Sequence, residues 1–156
     1  MIHIAHRGNI WGPLRERENS PKYIDEALNL QYSVEVDLWV DGGQLWLGHD
    51  APTYHIHDGF IRCRTRGLFI HCKNTEALSL MQSGQFLANY FWHQTDDYTL
   101  TSEGFVWCYP GKTPPSSKSI IVLPEEWIAR EAYSEYVKLH QVAGVCSDYM
   151  GQLKDS

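Results

Sequence analysis

The sequence has only four cysteines, Cys63, Cys72, Cys108 and Cys146, widely separated and without a Cys-x-x-Cys pair. That spacing argues against a disulfide framework, and three of the four fall in apolar strand-like runs where a free thiol behaves as a small hydrophobe. Reduced, buried thiols and a cytoplasmic location are therefore expected. Long apolar runs are also missing: none approaches the ~20 residues of a membrane span. The first strand is expected to begin at Ile2, which leaves no room for a signal peptide. Basic charge is in short supply, with 13 Lys and Arg against 19 Asp and Glu and a net charge of −6. An acidic chain lacks the basic face of a non-specific nucleic-acid binder. A small anion held by a few local cations, such as Arg7, Lys73 and Lys112, remains compatible with it. Internal repeats, linkers and low-complexity segments are absent as well.

The composition is that of an ordinary globular chain, 43% hydrophobic and 21% charged over 156 residues. Residues 1–156 are expected to form one domain, long enough to bury a core.

Strands are expected at 2–6, 33–40, 44–48, 68–72, 86–92, 105–109, 119–123 and 143–147. Asp41-Gly42-Gly43 reads as a hairpin turn, because glycine supplies positive φ at little cost. Helices are expected at 21–31, 75–83 and 125–140. The first has Ser20 as N-cap and Pro21 at its first position. The last opens on Pro124, Glu125 and Glu126, which suit the positive end of the helix dipole. Residues 51–66, 93–104 and 111–117 read as irregular. Runs such as Leu68-Phe69-Ile70 and Ile120-Ile121-Val122-Leu123 are apolar throughout, as in strands covered on both faces. Strands alternating with helices indicate a parallel sheet.

Polar residues recur just after the strands: His6-Arg7, His49-Asp50, His71 and Lys73, His93, Lys112, Glu125 and Asp148. A parallel barrel gathers the carboxyl ends of all its strands on one face, whereas an open doubly wound sheet gathers them only near a switch point. The even recurrence favours the barrel. In Glu35-Val36-Asp37 the period of two aims both carboxylates at one face, with Val34, Val36 and Leu38 on the other. Two carboxylates in one space repel and call for a cation between them. With two histidines and an Arg-Gly turn nearby, the set reads as a metal-assisted site for a phosphate ester. Removing either carboxylate is expected to relieve repulsion and leave the fold intact or more stable.

His6-Arg7-Gly8, Glu18-Asn19-Ser20, Glu35-Val36-Asp37 and Gly48-His49-Asp50, in that order, resemble the glycerophosphodiester phosphodiesterase family, within the wider group of phosphatidylinositol-phospholipase-C-like phosphodiesterases. Cys146-Ser147-Asp148 is a weaker echo of that family's last strand. The resemblance implies a TIM-type (β/α) barrel that hydrolyses phosphodiesters with a divalent cation. It implies His6 and His49 as the acid–base pair, Arg7 on the phosphoryl oxygens, and Glu35 and Asp37 as metal ligands. It also implies attack by a neighbouring hydroxyl of the substrate, giving a cyclic phosphate that water then opens.

Two departures stand out. The family has a carboxylate two residues before its lysine, where this chain has His71 before Lys73. A barrel of this type ordinarily takes ~250 residues. The expected fold is therefore α/β, an abridged barrel with seven or eight mostly parallel strands and fewer helices than usual. His71 as a third ligand would soften the site, moving preference from calcium towards magnesium, manganese or zinc; its alternative is a hydrogen-bonded interior histidine. Magnesium, calcium or manganese is the expected cofactor, zinc being less suited. Lys73 is a fixed charge for the phosphate, and Lys112, His93, Glu125 and Asp148 are candidate substrate contacts at the rim. Trp11, after the His-Arg-Gly turn, is a candidate substrate wall. The expected substrate is a glycerophosphodiester or a polyol or sugar phosphodiester. A lyase that stops at the cyclic phosphate, and a non-catalytic phosphate binder, are the alternatives. The sequence names neither the alcohol groups nor the oligomeric state.

Overall fold

Strand β1 (Ile2–His6) runs through the centre of a ten-stranded sheet, parallel to β2 (Ser33–Asp41) on one side and β10 (Gly144–Ser147) on the other. The computed structural model describes residues 1–153. β2 continues to β5 (Leu68–Cys72) and then β6 (Asn89–Trp92), while β10 continues to β9 (Ser119–Val122) and then β8 (Val106–Cys108). All of these pairings are parallel, so seven strands curve as one parallel ribbon in the order β6-β5-β2-β1-β10-β9-β8.

Three antiparallel strands complete the sheet. β3 (Gln44–Leu47) returns from the Gly42-Gly43 hairpin onto the far end of β2, and β4 (Tyr54–Ile56) adds to β3. β7 (Tyr98–Leu100) pairs with β8 and reaches towards β6: Thr99 Oγ1 donates to the Trp92 carbonyl at 2.8 Å and Ser102 N to the Tyr90 carbonyl at 2.7 Å. The fold is an abridged α/β barrel in which this short antiparallel strand stands where a full barrel has a helix and a further parallel strand.

Alternation along the strands separates two cores. Val34, Val36 and Leu38 of β2, with Leu68, Ile70 and Cys72 of β5, face outward to the helices. α1 (Pro21–Asn29) buries Tyr23, Ile24 and Ala27 there, and α3 (Thr75–Gln82) buries Ala77 and Met81. The inner face carries Ile4, Phe69, Phe91, Trp107, Ile120, Val122 and Cys146. Large aromatic rings fill the barrel from β5, β6 and β8, with Phe91 stacked on Trp107 at 4.5 Å between centroids. Interiors must be filled to near-crystalline density, so fewer helices outside are compatible with a closed inner layer.

The irregular stretch 51–66 holds β4 and α2 (Asp58–Arg62), and the polar stretch 93–104 holds β7. Both are too short to carry a periodic signal. The helix expected at 125–140 is broken: Pro124–Glu126 is a 3₁₀ turn, and α4 (Arg130–His140) begins only after Ala129. Leu123 stands in the left-handed region at φ 45°, which turns the chain at the end of β9 and starts a new axis. No helix among the described residues is long and apolar enough to cross a membrane.

Candidate functional site

The carboxyl ends of the parallel strands open on a cavity of about 590 Å³ that contains His6, Arg7, Glu35, His49, His71, Lys73 and His93 in its lining. Register explains the grouping: His6 stands beside Glu35 across β1 and β2, and Asp37 beside His71 across β2 and β5. In a parallel ladder such neighbours share a face.

Asp37 is the hub. It is 0% exposed and receives Asn19 Nδ2 at 2.8 Å and His49 Nδ1 at 3.3 Å on Oδ2. Arg7 Nε lies 3.2 Å from the same oxygen, and Lys73 Nζ lies 3.4 Å from Oδ1. Burial alone would raise this carboxyl, but the imidazoles of His49 and His71 and the charges of Arg7 and Lys73 hold it well below the usual range. Glu35, 3% exposed, goes the other way: burial and repulsion from Asp37 raise it, outweighing His6, Arg7 and His71. Neighbours on one strand thus have opposite electrostatic fates.

His71 Nε2 lies 2.9 Å from the backbone carbonyl of His93. A carbonyl only accepts, so Nε2 carries a proton and the ring turns its Nδ1 inward. That nitrogen stands 3.1 Å from Asp37 Oδ1 and 3.9 Å from Glu35 Oε1. A ring nitrogen set between two carboxylates calls for a proton or a cation on it. Glu35 Oε2 and Asp37 Oδ1 are buried and accept no hydrogen bond among the described residues. Ligand atoms of Glu35, Asp37 and His71 all lie within 4.8 Å of one another. The donor set, two carboxylate oxygens and one imidazole nitrogen braced by a carbonyl, fits a divalent cation.

His6 is braced from the opposite side. Its Nδ1 donates to Asp148 Oδ1 at 2.8 Å, leaving the Nε2 lone pair towards the cavity and 3.9 Å from Glu35 Oε2. Burial lowers the imidazole's proton affinity, but the Asp148 hydrogen bond and the Glu35 charge raise it above the ordinary histidine value. Asn9 Nδ2 donates to both Asp148 Oδ1 at 2.9 Å and Glu18 Oε1 at 3.0 Å, and Glu18 in turn takes Arg7 NH1 at 3.2 Å. Arg7 adopts φ 54°, a left-handed conformation that turns the chain sharply after β1. Gly8 follows at φ 93°, where a Cβ would come within 2.9 Å of the Tyr23 ring. The His-Arg-Gly sequence is thus a backbone requirement as well as a chemical one.

Not every expected residue meets the cavity. Lys112 pairs with Asp97 at 2.9 Å and is absent from the lining, because the loop after β8 carries it outward. Glu125 accepts from Ser147 Oγ and from the Asp148 amide, each at 2.8 Å, and so braces the end of β10 instead of facing the cavity. Asp148 stands behind His6 as its hydrogen-bond acceptor, not as part of the lining. Trp11 is 67% exposed and packs over Gly151, away from the cavity. Cys72 borders the cavity on β5, but its side chain faces the outer core, and burial there pushes its thiol up to about 12.

Sequence reading missed the roles of Asn9 and Asn19. Asn19 both donates to Asp37 Oδ2 and accepts from the Asp37 amide at 2.9 Å, clamping that residue. It does so from φ 63°, a conformation asparagine tolerates better than most residues. Its place inside Glu18-Asn19-Ser20 was a usable signal; its partner 18 residues away was not.

No protein-family model matches the chain, and no curated protein matches it. Among solved structures, a glycerophosphoryl diester phosphodiesterase from Parabacteroides distasonis matches with a TM-score of 0.62 and 12% identity, covering 99% of this chain and 85% of that one. The likeness is one of fold: the abridged barrel follows that protein's architecture over nearly the whole chain.

Proposed function

We propose that this chain, sharing the fold of a glycerophosphoryl diester phosphodiesterase, is a divalent-metal-assisted phosphodiesterase acting on a small glycerophosphodiester-like or polyol phosphodiester. The observation that carries the proposal is the meeting of Glu35, Asp37 and His71 around unsatisfied buried carboxylate oxygens, in a cavity also lined by His6, Arg7, His49 and Lys73.

Glu35, Asp37 and His71 are the residues that would hold the cation. Once bound, a divalent cation polarises a phosphoryl oxygen and offsets developing negative charge. Arg7 and Lys73 supply fixed positive charge for the remaining phosphoryl oxygens, Arg7 through a planar fork kept in place by Glu18. His6, with Nδ1 committed to Asp148, presents Nε2 as the base that takes a proton from the attacking hydroxyl. His49 is the matching acid for the leaving alcohol: it is 39% exposed and sits on the glycine-turned loop after β3. Its Nδ1 is engaged by Asp37 and its Nε2 lies 3.4 Å from Arg7 NH2. Substrate phosphate competing for Arg7 frees that nitrogen to take up a proton from solvent, which it then gives to the leaving alcohol.

The test is hydrolysis of glycerophosphodiesters with and without added magnesium, manganese or calcium. Activity that requires metal and disappears with chelator is expected; unchanged turnover after chelation overturns the metal assignment. Phosphorus NMR of the product separates full hydrolysis from release of a persistent cyclic phosphate.

His71 gives a sharper check. His71→Glu should shift metal preference towards the harder ions calcium and magnesium, and His71→Ala should weaken metal binding by about 10–100-fold, as loss of a metal-site contact commonly does. Calorimetric titration of metal into both variants and the wild type reads this directly. Equal affinities in all three would remove His71 from the ligand set.

A further inference from the structure

The cavity has two chemically different halves. One, over β1, β2 and β5, holds the charged and acid–base groups. The other, over β6, β8 and β9, adds His93, Gln94, Tyr109 and Glu126 to the lining. The side chains of these four make no hydrogen bond or ion pair among the described residues, and His93 Nδ1 is buried without a partner. The whole cavity, about 590 Å³, is of the size that takes a complete small-molecule ligand, typically about 300–1,000 Å³. A phosphate at Arg7 and Lys73 leaves the second half for an alcohol group.

The floor of that half decides which alcohol. Phe91 is sandwiched: His71 stacks on it at 5.1 Å and 9°, and Trp107 at 4.5 Å and 28°. The ring is only 2% exposed, so it presents no open face to a ligand. A quaternary ammonium needs open ring faces, which this floor does not present. The unpartnered groups above this floor offer both donors and acceptors, the mixed set that hydroxyls need. A rigid ring presents several hydroxyls at fixed spacing and loses less conformational freedom on binding than an open glycerol chain.

We propose that this half is a recognition subsite for a rigid, hydroxyl-rich ring, a hexose-type alcohol of the phosphodiester, bound by His93 and Tyr109 with Gln94 and Glu126 at its rim. The subsite rests on the phosphodiesterase reading in one respect, since it needs the phosphate held by Arg7 and Lys73.

Calorimetric titration of glucose 1-phosphate, glycerol 3-phosphate and phosphocholine into the magnesium-loaded protein tests it. Two or three added neutral hydrogen bonds correspond to about a tenfold tighter binding of glucose 1-phosphate than of glycerol 3-phosphate. His93→Ala keeps the backbone carbonyl that His71 uses, and Tyr109→Phe removes one hydroxyl; each should cut the preference to about threefold or less. Equal affinities, or tightest binding of phosphocholine, overturn the subsite. The same proteins are assayed on glycerophosphoglycerol. Hydrolysis without a glucose preference overturns the subsite and leaves the phosphodiesterase reading intact. A glucose preference without hydrolysis supports the subsite and overturns catalysis; absence of both overturns both.

Discussion

Asp37→Ala is expected to lose about 3–5 kcal/mol of stability in the metal-free protein, the usual consequence of removing one partner from a buried ion pair. Glu35→Gln, two residues away on the same strand, is expected to hold or gain stability. Both variants should lose metal-stimulated hydrolysis. Asp37 neutralises Arg7 and Lys73, whose side chains are 19% and 16% exposed, and it anchors Asn19 and His49. Without it those cations face one another across a buried space. Glu35 lies at 3.9 Å from His6 and from His71, too far for a hydrogen bond to either. The contacts therefore give the two carboxylates different expected outcomes: relief of repulsion for Glu35, and loss of a shared counter-charge for Asp37.

The pH dependence separates them further. Against burial, which raises it, His49, His71, Arg7 and Lys73 hold Asp37 well below the ordinary carboxyl value of 3.8 when folded, so its contribution is complete above that pH and is lost as pH falls through the lower folded value. Burial and the Asp37 charge raise Glu35 above its ordinary value of 4.5, so its contribution is present below 4.5 and is lost as pH rises through the raised folded value. The advantage of Glu35→Gln over the wild type should grow across that second window. Denaturant unfolding in chelator, at about pH 2, pH 4 and pH 7, measures both effects. Equal stabilisation by the two substitutions would mean that the cations around Asp37 contribute nothing.

His6→Ala is expected to lower turnover by about 10²–10⁴, the usual worth of a positioned acid or base. Asp148→Asn should approach that loss, because an amide at this position no longer specifies which ring nitrogen carries the proton. The double variant should be far less impaired than the product of the two single losses, since both act through one imidazole. Imidazole titration by NMR in chelator supplies a readout independent of turnover. The folded His6 value lies above 6.5, so its contribution to stability is present below 6.5 and is lost as pH rises through the folded value. Asp148→Asn should move that titration to lower pH. An unshifted His6 titration would detach Asp148 from the pair, and a pH–rate profile flat between about pH 5 and 9 would count against histidine catalysis altogether.

The strand pattern was legible in the sequence because the outward faces of β2 and β5 are uniformly apolar, and Glu35 and Asp37 break that pattern at a period of two. Pro21 and Ser20 marked the start of α1, and the Ser20 hydroxyl does cap it. The ordered short segments around His6, Glu35 and His49 were enough to point to the barrel that the fold comparison supports. These are local signals, written within a few residues.

What the sequence left open depends on contacts between distant residues. β7 and β4 are three residues each and exist because β8 and β3 offer them partners. The break at Leu123 is a backbone rotation that helical periodicity does not encode. Asp148 lies 142 residues from His6, and only the parallel pairing of β1 with β10 makes them neighbours. The same holds for the charge of each carboxylate. Glu35 and Asp37 are equivalent by chemistry and spacing, and they diverge because Arg7, Lys73, His49 and Asn19 all reach Asp37 once the strands are side by side. Residue type and period set which groups enter the barrel; the register between strands sets which of them meet.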